Sequence, residues 1–164
     1  MPAPIASGNY LFPSRLNRPP TFSALSTAAQ TGVGTTELVS LTVAGVTFKA
    51  GWAYEVQMRG GVYGTAASQA LFRIRKTNAA GTDWGEYGRV TCVGTSAGTT
   101  AMANGSIVLV RSATTDLTAD VALTVVASSG ATVNVYANAT SPRYLVVRPC
   151  GFAYEYVGCG VEVA

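Results

Sequence analysis

Between residues 121 and 148 the chain reads VALTVVASSGATVNVYANATSPRYLVVR. Three short runs rich in valine and threonine are separated by turn-forming residues at 128–130 and 138–142. Runs of this kind, repeated about every 8–12 residues, are typical of antiparallel strands in a β-sandwich. The pattern therefore predicts strands at 121–126, 132–136 and 144–148.

Apolar and polar residues also alternate in the middle of the chain. The residues expected on buried strand faces are Val39, Leu41 and Val43, then Tyr54, Val56 and Met58, then Phe72 and Ile74. Residues 106–111 are typical of a central strand buried on both faces, and 152–157 are expected to form the last strand. The sequence thus predicts an all-β fold of roughly eight to ten strands, an antiparallel β-sandwich arranged as a jelly roll. An immunoglobulin-like sandwich is the alternative.

The first 32 residues differ in composition from the rest. Five of the seven prolines fall within the first twenty residues, where they fix φ and remove hydrogen-bond donors. The large side chains between them that are expected to contact a partner are Tyr10, Phe12, Arg15, Leu16, Arg18 and Phe22. We therefore predict an extended docking arm at 1–32, with one helical turn at most at 24–30, and a sandwich domain at 33–164. The alternative is that the arm wraps its own domain.

Charged residues make up 12% of the chain and hydrophobic residues 48%. The charged fraction is about half that of an ordinary soluble domain, which indicates that neighbouring molecules cover part of the surface. The net charge of +3 is scattered, which argues against direct nucleic-acid binding. No apolar stretch approaches the roughly 20 residues of a membrane span. Because the start also lacks the features of a secretory signal, we expect synthesis in a cytoplasm and no membrane contact.

The chain contains no histidine, which excludes Ser-His-Asp and Cys-His catalytic arrangements and the common zinc sites. We expect no enzymatic activity, no cofactor and no metal. Cys92, Cys150 and Cys159 are predicted to be reduced and mostly buried thiols, with a disulfide between the last two as the alternative. Asp116 and Asp120 are interpreted as turn-capping residues, with calcium ligation as the alternative.

Two further clusters are candidate sites. Asp83 and Glu86 flank Trp84, a pattern that suits a carboxylate pair beside a sugar-binding aromatic ring, although a solvated loop with an anchoring tryptophan is the simpler interpretation. Arg73 and Arg75 are expected to share one face of a strand. Solvent exposure is the simpler interpretation of this face, and contact with phosphate or an acidic partner is the alternative.

Six short motifs are spread along nearly the whole chain. They are Pro2-Ala-Pro-Ile5, Leu16-Asn-Arg-Pro-Pro20, Thr31-Gly-Val-Gly-Thr-Thr-Glu37, Phe48-Lys-Ala-Gly51, Tyr54-Glu-Val-Gln-Met-Arg59 and Arg75-Lys-Thr-Asn78. Together they resemble small virion proteins of tailed phages that infect actinobacteria. The resemblance implies a jelly-roll-like domain that oligomerises, commonly as a trimer, on the outside of a particle. It assigns no role to any single residue.

These observations predict a virion structural protein, a capsid decoration or minor capsid protein that binds the major capsid protein and stabilises the shell. Its arm is expected to lock it on the capsid exterior, and it is expected to associate with itself as a homotrimer. The alternative is a tail-fibre or baseplate tip that binds a host receptor or glycan through exposed aromatic side chains such as Trp84 and Tyr87.

Overall fold

The computed structural model describes residues 18–65, 67–128 and 131–164. Eleven β-strands lie in these ranges: β1 Phe22–Ser26, β2 Gln30–Val33, β3 Leu38–Phe48, β4 Trp52–Gly64, β5 Gln69–Lys76, β6 Asp83–Thr91, β7 Ala101–Arg111, β8 Leu117–Ala127, β9 Val133–Tyr136, β10 Arg143–Phe152 and β11 Val161–Glu162. Two 3₁₀ turns, Ala97–Thr99 and Ala153–Tyr156, complete the regular structure of these ranges. None of the described residues forms a helix long and apolar enough to cross a membrane.

Eight of the strands pair as one long hairpin that is folded over on itself. β1 pairs with β10, β3 with β8, β4 with β7 and β5 with β6, all antiparallel. Sheet A contains the order β1-β10-β4-β7, and sheet B contains β3-β8-β5-β6. This nested pairing across two sheets is the connectivity of a jelly roll. The predicted fold is therefore confirmed, and the immunoglobulin-like alternative is wrong.

Three short strands extend sheet A. β2 pairs with β9, and β9 also pairs with the end of β4. β11 runs parallel to β7 and lies beside it at the other edge of the sheet. These strands lengthen sheet A without changing the jelly-roll order of the other eight.

The core lies between the two sheets and is centred on aromatic side chains. Phe48 packs edge-on against Tyr54 and Trp84, with ring centroids 5.0 and 5.6 Å away. The hydroxyl of Tyr54 accepts a hydrogen bond from the Lys49 N–H at 2.7 Å and donates to the Thr47 carbonyl at 3.1 Å. The predicted alternation is confirmed in β4 and β5, because their inward residues are buried and the residues between them are less so.

β3 departs from the predicted alternation at one position. A β-bulge between Val39 and Leu41 shifts the pairing with β8, so Val39 faces outward and Ser40 is buried instead. The prediction for Val39 is wrong, whereas Leu41 and Val43 are buried as expected. In β7, Leu109 joins the core between the sheets and Val110 is buried on the opposite face. This confirms burial of that strand on both faces at its end.

The C-terminal segment crosses the outer face of sheet A instead of forming the predicted last strand. Residues 153–156 form a 3₁₀ turn, which is held by a hydrogen bond of 2.7 Å from the Phe152 N–H to Glu155 Oε2. Ala153 packs with Ala53 of β4 and Val110 of β7 in a small apolar cluster. A cluster on this face explains why the turn replaces a strand: burial of apolar surface outweighs further edge pairing.

The sandwich begins inside the interval predicted as an arm. β1 and β2 place residues 22–26 and 30–33 in sheet A, so the helical turn expected at 24–30 does not form. Phe22 and Ala24 pack against the core. Four residues of the predicted contact set lie in 1–17, outside the described residues: Tyr10, Phe12, Arg15 and Leu16. That this segment contacts another chain stays a prediction.

Candidate interaction surface

The basic cluster of β5 is engaged within the chain. Glu37, between β2 and β3, accepts hydrogen bonds from Arg73 Nη1 at 2.9 Å and from Arg75 Nε and Nη2 at 2.6 and 2.8 Å. Thr124 also donates to Glu37, and Asp83 lies 3.5–3.6 Å from the two guanidinium groups. The pKa of Glu37 is lowered to about 2, chiefly by the hydrogen bond from Arg75. The interpretation of the two arginines as a solvated face is therefore wrong.

Trp84 is a core residue of β6 and not the anchor of a loop. Only 1% of its surface is exposed, so it cannot present a ring to a glycan. Tyr87 is half-buried in the same strand. Glu86 pairs with Arg89 at 2.7 Å, while Asp83 faces the arginines of β5. The two carboxylates of the proposed pair are thus each engaged by arginine.

Asp116 and Asp120 each accept a hydrogen bond from a backbone amide of β3 or of the turn that follows it. Asp116 accepts a hydrogen bond from Lys49 Nζ at 2.6 Å and from the Ala50 N–H at 3.0 Å. Asp120 accepts one from the Gly45 N–H at 2.8 Å. Asp116 therefore holds an amide of the turn after β3, as predicted, whereas Asp120 holds an amide of the β3 bulge between Val43 and Val46. The described ranges hold no cluster of potential metal ligands.

The three cysteines are free thiols. Cys92 is buried, Cys150 is half-buried and Cys159 is exposed. The last position differs from the expected burial because Cys159 lies in the turn that follows residues 153–156, where its N–H donates to the Tyr156 carbonyl at 3.1 Å. The alternative of a disulfide between Cys150 and Cys159 is not formed in this structure.

The outer face of sheet A carries a row of side chains that the C-terminal segment leaves uncovered. Leu25, Tyr144, Arg59 and Asn104 occupy paired positions on β1, β10, β4 and β7. Leu25 is 63% exposed. An open groove of about 590 Å³ runs beside Arg59 and Tyr144. We call this surface the sheet A face and define it by Leu25, Gln57, Arg59, Met102, Asn104, Ser106 and Tyr144.

The sheet A face is close to neutral. Glu55 and Arg148, at its border, neutralise each other in an ion pair of 2.8 Å. Arg59 forms no ion pair within the described ranges. The face therefore offers one available guanidinium surrounded by apolar and neutral polar groups. Tyrosine, methionine and arginine are the residue types that protein–protein interfaces favour.

A second uncovered surface lies where β4 begins and β10 ends. The Trp52 and Phe152 rings are 5.0 Å apart, and Phe152 stacks on Tyr154 at 5.5 Å with an interplanar angle of 9°. Tyr154 is 72% exposed and Val157 is 84% exposed. We call this surface the aromatic end and define it by Trp52, Phe152, Tyr154 and Val157. It presents a stacked pair of rings and an aliphatic side chain to the surroundings.

Two residues of the predicted contact set fall within the described ranges. Arg18 donates from Nη2 to the Pro149 carbonyl of β10, and Phe22 packs against the core of its own sandwich. The other four lie outside the described residues, so the contact set as a whole stays a prediction. The aromatic end has no counterpart in the sequence prediction, in which residues 152–157 form a strand. The two glycines that follow, Gly158 and Gly160, are the signal of a turn there.

No protein-family model matches this chain, and no curated protein matches it. Similar solved structures include a VP2 subviral particle of infectious bursal disease virus, at 12% identity and a TM-score of 0.46. Another is of T=1 particles derived from infectious bursal virus, at 15% identity and a TM-score of 0.48. Both likenesses cover 84% of this chain but only 39% and 38% of those chains, so this chain spans less than half of their length. At these TM-scores, the jelly-roll assignment rests on the strand pairing.

Proposed function

We propose that the protein is a structural component of a virus particle, a capsid decoration or minor capsid protein of a tailed-phage virion. It is made in the host cytoplasm, lies on the capsid exterior, binds the major capsid protein and stabilises the shell. Jelly rolls occur in capsid proteins but also in lectins and cupins, so the fold alone does not carry this proposal. The observation that carries it is the pair of uncovered surfaces on a chain with 12% charged residues.

The sheet A face is the surface that we assign to the shell. Its four paired strands form a broad surface with one available cation, Arg59, which lies near the middle of the surface between Tyr144 and Asn104. A guanidinium at such a position binds a carboxylate in a bidentate manner, which fixes orientation as well as affinity. Leu25 and Met102 supply exposed apolar contacts on either side. This arrangement fits a partner surface that carries an acidic group surrounded by apolar side chains.

Binding to empty capsids tests this assignment. Purified chain is mixed with capsids that lack it, the capsids are sedimented, and the bound chain is measured across a concentration series. Arg59→Glu is expected to weaken binding by at least about tenfold, because a central arginine is a frequent hot spot and the new charge is repelled by an acidic partner. Glu86→Gln on β6 is the control and is expected to bind like the unchanged chain. Equal binding of all three proteins would show that the sheet A face is not the contact.

The proposed assembly is a homotrimer, and the N-terminal arm of each copy, predicted at 1–32, is proposed to help hold the trimer on the shell. Joining several copies lets several weak capsid contacts act together, which raises the overall affinity without any new contact. Removal of residues 1–17 is therefore expected to lower capsid occupancy at limiting concentration. Unchanged occupancy at every concentration would contradict a role for the arm in binding.

The aromatic end favours a second candidate, a tail-fibre or baseplate tip that binds a host receptor or glycan. The stacked rings of Phe152 and Tyr154 offer an exposed apolar face of the kind that packs against a sugar ring. Binding on a glycan array that disappears with Tyr154→Ala would support this function. Trp84→Ala is not suitable for the test, because removal of a fully buried tryptophan destabilises the core by about 3–5 kcal/mol.

A further inference from the structure

We infer that the aromatic end of one copy binds the N-terminal segment, residues 1–17, of a second copy. The inference rests on the self-assembly that the proposed function includes, and it names the surface and the segment that join the copies. Four observations support it: the place where the chain enters the sandwich, the composition of the segment, its reach and the exposure of the aromatic end.

The chain enters the sandwich next to the aromatic end. β1 runs antiparallel to β10, with Phe22 opposite Val147 and Ser26 opposite Arg143. Each step from Phe22 toward the N-terminus thus advances along β10 toward Phe152. The hydrogen bond from Arg18 to the Pro149 carbonyl continues this direction beyond the last paired residue. The segment before Arg18 therefore starts at the end of sheet A where Trp52 and Phe152 lie.

The segment has the composition that suits an aromatic surface. Arg15 is the only charged side chain in residues 1–17. The apolar and proline residues of the segment are Met1, Pro2, Ala3, Pro4, Ile5, Ala6, Tyr10, Leu11, Phe12, Pro13 and Leu16. Proline-rich segments bind aromatic-lined surfaces at low entropic cost, because proline already restricts the free chain. Tyr154 and Val157 provide the apolar partner surface for such side chains.

The reach of the segment allows it to contact a second copy. Phe12 precedes Arg18 by six residues, which span about 20 Å when extended. A domain of this size has a radius of gyration of about 15 Å, so a segment of this length that begins at the end of sheet A can extend beyond its own domain. Since the segment starts at the same end as the surface that receives it, each copy can give one arm and receive one. Head-to-tail contacts of this kind form a homotrimeric ring when the rotation between neighbouring copies is about 120°.

Cross-linking between two differently marked chains tests the inference. The first chain carries Ser14→Cys and Cys159→Ser, and the second keeps its natural, exposed Cys159. After mixing without capsids and mild oxidation, we expect a disulfide-linked pair of one first and one second chain on a non-reducing gel. The control first chain carries Ser96→Cys, in an exposed loop, in place of Ser14→Cys and is expected to give at most a tenth of the product.

Variants of the receiving surface complete the test. Tyr154→Ala together with Val157→Ser in the second chain is expected to reduce the cross-linked product at least fivefold and to lower the mass of the oligomer measured by light scattering. Val93→Ser, an exposed apolar position outside both surfaces, is the matched control and is expected to change neither. Absence of the mixed product overturns the inference. A second result would also overturn it: a chain that carries Ser14→Cys and keeps Cys159 forms the disulfide only within one chain and not between two chains.

The two proposals fail in different ways. If mixed chains cross-link through Ser14→Cys but the protein does not bind capsids, the proposed function is wrong and the contact between copies stands. If capsid binding is strong but the mixed product is absent, only the inference is wrong. Capsid binding and cross-linking are measured on separate samples, so neither result depends on the other.

Discussion

At Glu37 a single carboxylate joins two strands of sheet B to the loop before β3. Arg73 and Arg75 of β5 and Thr124 of β8 all donate to it. Its side chain is 16% exposed. We expect Glu37→Gln to lower the free energy of unfolding by about 2 kcal/mol, after allowance for the water that still reaches the site. Urea unfolding measures the change, and Glu86→Gln, at an exposed ion pair, is expected to leave stability unchanged.

The same carboxylate predicts a dependence on pH. The pKa of Glu37 is about 2 in the folded chain, below its ordinary value of 4.5. Because folding favours the ionised form, its contribution to stability is fully present above pH 4.5 and is lost as the pH falls toward 2. The difference in stability between the unchanged chain and Glu37→Gln is therefore expected to be constant near neutral pH and to shrink in acid. A difference that grows in acid would contradict this account.

Arg143 is buried at the start of β10 with 8% of its surface exposed. Its Nε and Nη1 atoms have no hydrogen-bond partner in the described part of the chain. Burial lowers the pKa of its guanidinium, since a buried charge without a partner is costly. We expect Arg143→Met to raise the free energy of unfolding by about 1–2 kcal/mol. The urea midpoint measures this, with Arg59→Met as the exposed control, and a strong loss of stability would show that the guanidinium has a partner.

At the scale of elements, β1 is the first strand of the described sandwich. Phe22 and Ala24 contact the core, and the strand covers the edge of β10. At a dilution where both proteins are monomeric by light scattering, a chain that lacks residues 1–17 is expected to unfold at the same temperature as the full chain. A chain that lacks residues 1–26 is expected to lose about 3 kcal/mol, because it exposes apolar core surface and the edge of β10. Thermal unfolding compares the two, and equal loss in both would contradict the boundary at β1.

The elements that could be predicted are those whose burial repeats with a period of two residues. Tyr54, Val56 and Met58 show this in β4, because a strand with one face in the core leaves that alternation in the sequence. The bulge at Val39 could not be predicted, since no particular residue type in the sequence marks the extra residue. The segment 153–156, with its two tyrosines, has the composition of a strand although it forms a turn, and only the glycines that follow it indicate the turn.

The Glu37 cluster and the candidate surfaces were less predictable than the strands, because they depend on contacts between distant parts of the chain. Glu37 and Arg73 are 36 residues apart and meet only through the order of sheet B. Trp52 and Phe152 meet because β4 pairs with β10. The composition predicts that neighbours cover some of the surface, but only the topology shows which residues lie together on an uncovered face.

At the scale of the whole molecule, the jelly roll presents two different surfaces. The sheet A face lies on the outer side of four paired strands and contains Arg59 as its available cation. The aromatic end lies at the edge where the N-terminal segment enters. We assign the first surface to the capsid shell and the second to the neighbouring copy, so one domain can bind the shell and its own copies at the same time.

An electron cryomicroscopy reconstruction of the virus particle that contains this chain tests the account most directly. We expect sandwich-shaped density on the outer surface of the shell, grouped in threes, with sheet A turned toward the major capsid protein and a connection between copies near Tyr154. Density for the chain at the tail, or purified particles that lack the chain altogether, would contradict a capsid structural role.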